Sequence, residues 1–218
     1  MFTGAGEDVF IRHYEVCELS AAADVAQGNE QPNEKRAPRP GLREVILKLE
    51  SMNAITIAAI NGSTMGGGLE FALGCDFRLQ RQGNYHLGLP ETNVGILPGG
   101  GGTQRLARLL GVAKTLDIIL LGQVYGPEQA LELGVVSRIL SQENFKHEVE
   151  EFADMLAKRA PLALANAKRA IREGSQLNLE DGLKREAELF GELIASEDAA
   201  VAMKAVLSGE PIPEFKGR

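Results

Sequence analysis

Ile55-Thr56-Ile57-Ala58-Ala59-Ile60-Asn61-Gly62-Ser63-Thr64-Met65-Gly66-Gly67-Gly68-Leu69-Glu70 reads as a strand, a glycine-rich turn and the start of a helix. The β-branched apolar run suits a buried strand, Asn61-Gly62 breaks it, and the glycine triplet opens a buried helix through Leu73. Glycines let backbone approach a ligand closely, and the first N–H groups of a helix lack intrahelical partners, so such a turn can hold an oxyanion or a phosphate. Glu70 stands three residues beyond Gly67, and a carboxylate beside oxyanion donors suits proton transfer or water activation next to a carbonyl. The spacing from Gly62 to Gly67 matches the opening of a P-loop, but Gly68-Leu69 occupies the Lys-Ser/Thr positions, and the dinucleotide fingerprint is absent. The bland alternative is that Gly66 to Gly68 only permit tight strand–helix packing.

The chain of 218 residues, 44% of them hydrophobic, is long enough for one moderate domain, or a domain with a helical appendage, around a sizeable core. A net charge of −7 argues against nucleic acid or a membrane surface as partner. Cys17 and Cys75 form no CxxC pair, so neither a disulfide framework nor a zinc site is indicated, and no metal site is expected. With no signal core and no bilayer-length apolar run, a cytoplasmic location is expected.

Residues 1–10 read as a second glycine-rich loop, 11–25 as a short helix and 26–41 as an exposed loop. Leu42, Val45, Ile46, Leu49 and Met52 have amphipathic helical spacing. Short strands are expected over 77–79, 85–87 and 135–140, with helices starting near Thr103, Lys114 and Pro127. Thr103 is the expected cap of the first of these. From Glu143 onward helical stripes dominate, broken at Pro161 and Gly174. These patterns divide the chain into a core over 1–142 and a helical region over 143–218.

Three stretches resemble the crotonase, or enoyl-CoA hydratase/isomerase, superfamily. They are Ala5-Gly6-Glu7-Asp8-Val9; Ile57 to Gly62 with Gly66-Gly67-Gly68-Leu69-Glu70 and Cys75-Asp76; and Leu89-Pro90-Glu91 with Pro98-Gly99 and Gly102-Thr103-Gln104-Arg105-Leu106. The resemblance implies an α/β fold, a spiral of β-β-α turns followed by an α-helical C-terminal trimerisation region, and a homotrimer or homohexamer. The usual first β-β-α unit lies upstream of the Gly-x-Asp loop, so the spiral reads as N-terminally incomplete. An acyl-CoA thioester is the implied substrate, with coenzyme A part of it and no metal or redox cofactor.

The resemblance further implies an oxyanion hole from the N–H groups of Gly67 and Glu7, with Gly6 the alternative second donor. Asp8, Val9 and Phe10 would follow along the wall contacting CoA adenine through backbone atoms, Gly66 would be a further substrate-binding residue, and Phe215 and Lys216 are candidates for the adenine end. Glu70 and Glu91 match the paired glutamates of hydratases: Glu70 as base toward water and Glu91 as acid toward the α-carbon. An enoyl-CoA isomerase or acyl-CoA hydrolase shares the fold, and a non-catalytic oligomeric protein is the reading from a different class. Gly99 to Gly102 either shape their loop by packing or contact a diphosphate. Arg105, His13, His86 and His147 read as surface or locally satisfied groups. Lys168, Arg169 and Arg172 read as a solvated helix face or as a patch steering CoA phosphates.

Overall fold

The apolar run of the opening stretch forms an inner strand of a parallel sheet. The computed structural model describes residues 1–12, 16–29 and 41–218; His13 and most of the expected loop over 26–41 lie outside the described residues. In chain order the elements are β1 (Phe2–Thr3), α1 (Val16–Ala26), α2 (Leu42–Ser51), β2 (Ile57–Ile60), β3 (Thr64–Met65), α3 (Gly67–Gly74), β4 (Phe77–Arg81) and β5 (Leu87–Gly88). A 3-10 turn over Glu91–Val94 follows, then α4 (Gly102–Leu110), α5 (Val112–Leu120), β6 (Val124–Tyr125), α6 (Pro127–Leu133) and β7 (Arg138–Leu140). The chain ends in α7 (Phe145–Ala157), α8 (Pro161–Gly174), α9 (Leu179–Ile194) and α10 (Glu197–Ser208).

Two compact units result, one of Met1–Leu49 with Thr56–Glu148 and the other of Glu50–Ile55 with Val149–Arg218. In the first, a four-stranded sheet runs β1-β2-β4-β7 with every pair parallel. All four residues of β2 are buried, the continuous apolar pattern of a strand covered on both faces. A smaller sheet pairs β3 parallel with β5 and β5 antiparallel with β6. Leu69, Leu87, Leu89 and Leu106 lie with Ile60 and Phe10 in one buried cluster. Burying each leucine side chain contributes about 1.5–3 kcal/mol, and this pins α3, β5 and α4 together.

Several expectations need correction. Residues 1–10 are not all loop, because Phe2 and Thr3 pair in parallel with Ala58 and Ala59. The strand expected over 135–140 begins only at Arg138, since the N–H groups of Val135 and Val136 are both spent on Ala130 O, at 2.8 and 3.2 Å, closing α6. The strand expected over 85–87 is Leu87–Gly88, because Tyr85 N–H bonds back to Gly83 O at 3.0 Å within the turn. Thr103 does not cap α4. Gly101, at φ 107°, is the N-cap and the helix starts at Gly102.

In the second unit α8 and α9 pack where Gly174 and Gly182 meet, a Cβ on Gly182 falling 3.3 Å from Gly174 O. Asn166 Nδ2 donates to Leu189 O at 3.1 Å across the same pair. Lys168, Arg169 and Arg172 form no solvated cationic face. Lys168 is buried and donates to Ala54 O at 2.9 Å, Arg172 pairs with Glu50 at 3.1 Å, and Arg169 pairs with Glu173 at 3.3 Å. The C-terminal tail is tied to the start of α10, where Asp198 accepts from the N–H groups of Lys216 and Gly217 at 2.8 and 2.7 Å.

Candidate active site

Gly66 precedes α3 with φ 55° and ψ −130°, a conformation that excludes side chains and turns the chain sharply from β3 into the helix. Its own N–H is spent on Gly88 O at 2.9 Å, so Gly66 supplies the turn and not a donor. Gly67 is the first residue of α3, where an N–H has no intrahelical acceptor and the helix dipole favours negative charge.

Glu70 lies in that same first turn and is 2% exposed. Its Oε1 accepts from Gly102 N–H at 2.7 Å. Gly102 is the first residue of α4, so the buried carboxylate is held by a second helix N-terminus, a charge-assisted bond that offsets part of its desolvation. A Cβ on Gly100 would stand 2.7 Å from Glu70 Oε2, and one on Gly102 would stand 3.1 Å from Oε1. Gly100 and Gly102 thus let backbone close over the carboxylate. With its N–H taken by Glu70, Gly102 is no phosphate donor. Arg105 Nη1 braces the turn by donating to Gly100 O at 2.9 Å, so Arg105 is locally satisfied as expected.

Glu91 opens the 3-10 turn, is partly exposed, and has a buried Oε2. That turn is anchored to the end of α5, where Thr92 Oγ1 donates to Ile119 O at 2.9 Å. Gly88 pairs with Met65 across β3 and β5, and Glu91 follows three residues later. Glu70 and Glu91 thus extend from turns rooted in one small sheet.

The loop carrying Gly6 and Glu7 runs beside residues 61–63. Ser63 N–H donates to Asp8 O at 2.9 Å, Phe10 N–H donates to Ser63 O at 3.0 Å, and Val9 bridges Ser63 in parallel. Phe10 does not join the other site residues through its side chain: the ring is buried in the core, 6.3 Å from that of Phe71. Phe215 and Lys216 belong to the second unit, on the tail tied to Asp198. The groups the sequence reading missed are Gly102 and the side chains of Asn61 and Arg81, which grip the 4–8 loop. Asn61-Gly62 was legible only as a breaker.

A model of the enoyl-CoA hydratase/isomerase family matches residues 19–215. The chain belongs to the enoyl-CoA hydratase/isomerase family. It is 34% identical over 220 residues to a short-chain-enoyl-CoA hydratase of Clostridium acetobutylicum, covering 100% of this chain and 80% of the relative. It is 33% identical to a crotonyl-CoA hydratase of Syntrophomonas wolfei over 208 residues, 95% of this chain and 76% of that one. A crystal structure of an enoyl-CoA hydratase from Bacillus anthracis superposes with a TM-score of 0.85 at 32% identity, covering 99% and 80%. The α/β architecture, with its parallel sheet and helical C-terminal part, is therefore that of the crotonase fold. In this family member the two helix N-termini and the 4–8 loop belong to one folded unit.

Proposed function

We propose that this protein adds water across a trans-2-enoyl-CoA to give a 3-hydroxyacyl-CoA. The observation that carries the proposal is Glu70: a buried carboxylate one turn into α3, held by Gly102 N–H, with Gly67 at the start of the same helix. The relatives named hydratases support the same reading.

The thioester oxygen sits between the N–H groups of Gly67 and Glu7, each donor stabilising the developing oxyanion by roughly 3–4 kcal/mol. Glu70 takes a proton from water as its oxygen bonds to the β-carbon, and Glu91 delivers a proton to the α-carbon. Each transfer is worth on the order of 100- to 10,000-fold in rate. Water adds as a hydroxyl and a proton without change in net oxidation level, so the chemistry calls for no redox cofactor, and the proposed steps are carried by the two carboxylates and two backbone donors. Gly6 and Gly66 frame the thioester end, and the backbone of Asp8 and Val9 follows along the wall toward the CoA adenine. A homotrimer or homohexamer in the cytoplasm, serving fatty acid metabolism, completes the proposal.

The test is loss of conjugated-enoyl absorbance on mixing the protein with crotonyl-CoA, with product mass read in parallel. Rapid loss with a gain of one water, abolished in Glu91→Gln, is the expected result. A product of unchanged mass, or release of free CoA, overturns hydration in favour of isomerisation or hydrolysis.

A further inference from the structure

The second oxyanion donor belongs to a loop, and loops hold a backbone N–H in place only when something fixes their peptide planes. Asn61, immediately after β2 and 7% exposed, does this with both ends of its amide: Oδ1 accepts from Gly4 N–H at 2.8 Å and Nδ2 donates to Gly6 O at 2.5 Å. In a trans peptide the C=O and N–H point in opposite directions. With Gly6 O tied to Asn61, the N–H of the same peptide, that of Glu7, is turned away from Asn61. It cannot rotate without breaking that bond. From the other side Arg81, at the end of β4, donates through Nη1 to Glu7 O at 3.1 Å and through Nε to Gln142 O at 3.1 Å. The carbonyl of the Gly6–Glu7 peptide and the carbonyl that follows it are therefore both held.

We infer that Asn61 and Arg81 are positioning residues that set the Glu7 N–H as the second oxyanion donor. The inference rests on the oxyanion reading above. The amide at position 61 supplies an acceptor for Gly4 and a donor for Gly6 together. An ionised Asp accepts but cannot donate and repels Gly6 O. A protonated Asp restores the donor. The same strand end thus governs both donors, Gly67 through the turn it opens and Glu7 through Asn61.

The test uses Asn61→Asp and Arg81→Met in the full chain, with two readouts. One is turnover of crotonyl-CoA. The other, which needs no turnover, is the red shift of an aryl-conjugated enoyl-CoA chromophore on binding, which reports polarisation of the thioester carbonyl. Asn61→Asp is expected to lower kcat roughly 10- to 1,000-fold with KM nearly unchanged, up to the loss seen when one oxyanion donor is removed outright. It is also expected to shrink the red shift. Both deficits, taken as ratios to wild type, recover as pH falls and the new carboxyl protonates; Glu7 and Asp8 on the held loop, and Arg81, which pairs with Glu7 at 3.3 Å, are common to both proteins. Arg81→Met, at a side chain already partly exposed, gives a smaller loss of the same kind. A pH-independent deficit in Asn61→Asp, or an unchanged red shift in it, overturns the inference. A wild-type red shift without hydration leaves the inference standing and overturns only the hydratase reading. The absence of any wild-type red shift removes the oxyanion hole and the inference with it.

Discussion

Glu70 has a structural bond and a proposed chemical task, and Glu70→Gln with Glu70→Ala separate the two. The glutamine keeps an oxygen where Oε1 accepts from Gly102 N–H at 2.7 Å. It also removes a charge from a site only 2% exposed, lifting the desolvation cost of that charge. Its melting temperature should equal or exceed that of wild type. Alanine strips the acceptor and leaves the N–H of the buried Gly102 without it, a penalty of about 1–3 kcal/mol. For a chain of this size that is roughly 2–12 °C in melting temperature below the glutamine variant. In turnover the two should be alike, since neither side chain takes a proton from water: a fall of about 100- to 10,000-fold in kcat, equivalent to about 2.7–5.4 kcal/mol of barrier.

The assay is thermal unfolding at one fixed protomer concentration, beside initial rates on crotonyl-CoA. A glutamine variant that melts as low as the alanine variant would refute the claim that the Gly102 bond is what holds this side chain. Near wild-type turnover in the glutamine variant would refute Glu70 as the base.

Two further outcomes follow from groups outside the site. Burial pushes the Cys75 thiol up to about 11 while Cys17 is exposed, so a thiol reagent near neutral pH should modify Cys17 in the native protein and reach Cys75 only after denaturation; native labelling of Cys75 would contradict its placement. The N–H of Lys216 foremost, and those of Gly217 and Arg218, hold Asp198 below its ordinary 3.8, so its contribution is present above that value and lost as pH falls through the lower folded value. Asn at position 198 should therefore lower the melting temperature at about pH 7, with the deficit closing in acid, and a deficit constant with pH would exclude the carboxylate as the tail's anchor.

What was legible in the sequence was whatever a local pattern encodes. The strand at Ile57–Ile60 and the helices from α2 onward follow from apolar spacing, and the Gly67–Glu70 turn follows from three glycines beside a carboxylate. The two-residue strands β1, β3 and β6 carry no period of their own, and only their distant partners make them strands. The grip of Gly102 on Glu70 spans 32 positions and that of Asn61 on Gly4 spans 57, beyond any window a motif covers. Lys168 misled for a different reason. It lies three residues after the buried Ala165, on the same face of α8, yet lysine is seldom buried; Ala54 O, far away in sequence, is what its ammonium reaches.

Sheet topology brings the 4–8 loop beside residues 61–63, the stretch that leads into α3. β1 and β2 are neighbours and parallel, with Thr3 opposite Ala59, so the loops that follow them leave the same edge of the sheet. An antiparallel pairing would send the 4–8 loop to the opposite edge, away from α3. Register matters as much as direction. A slip of one residue between these strands moves one chain past the other by about 3.3 Å. That displacement is larger than the 2.5 Å length of the Asn61–Gly6 bond, so it would part the amide from the carbonyl it holds. The two-residue strand β1 thus fixes the height at which Gly6 O meets Asn61, and with it the direction in which the Glu7 N–H points.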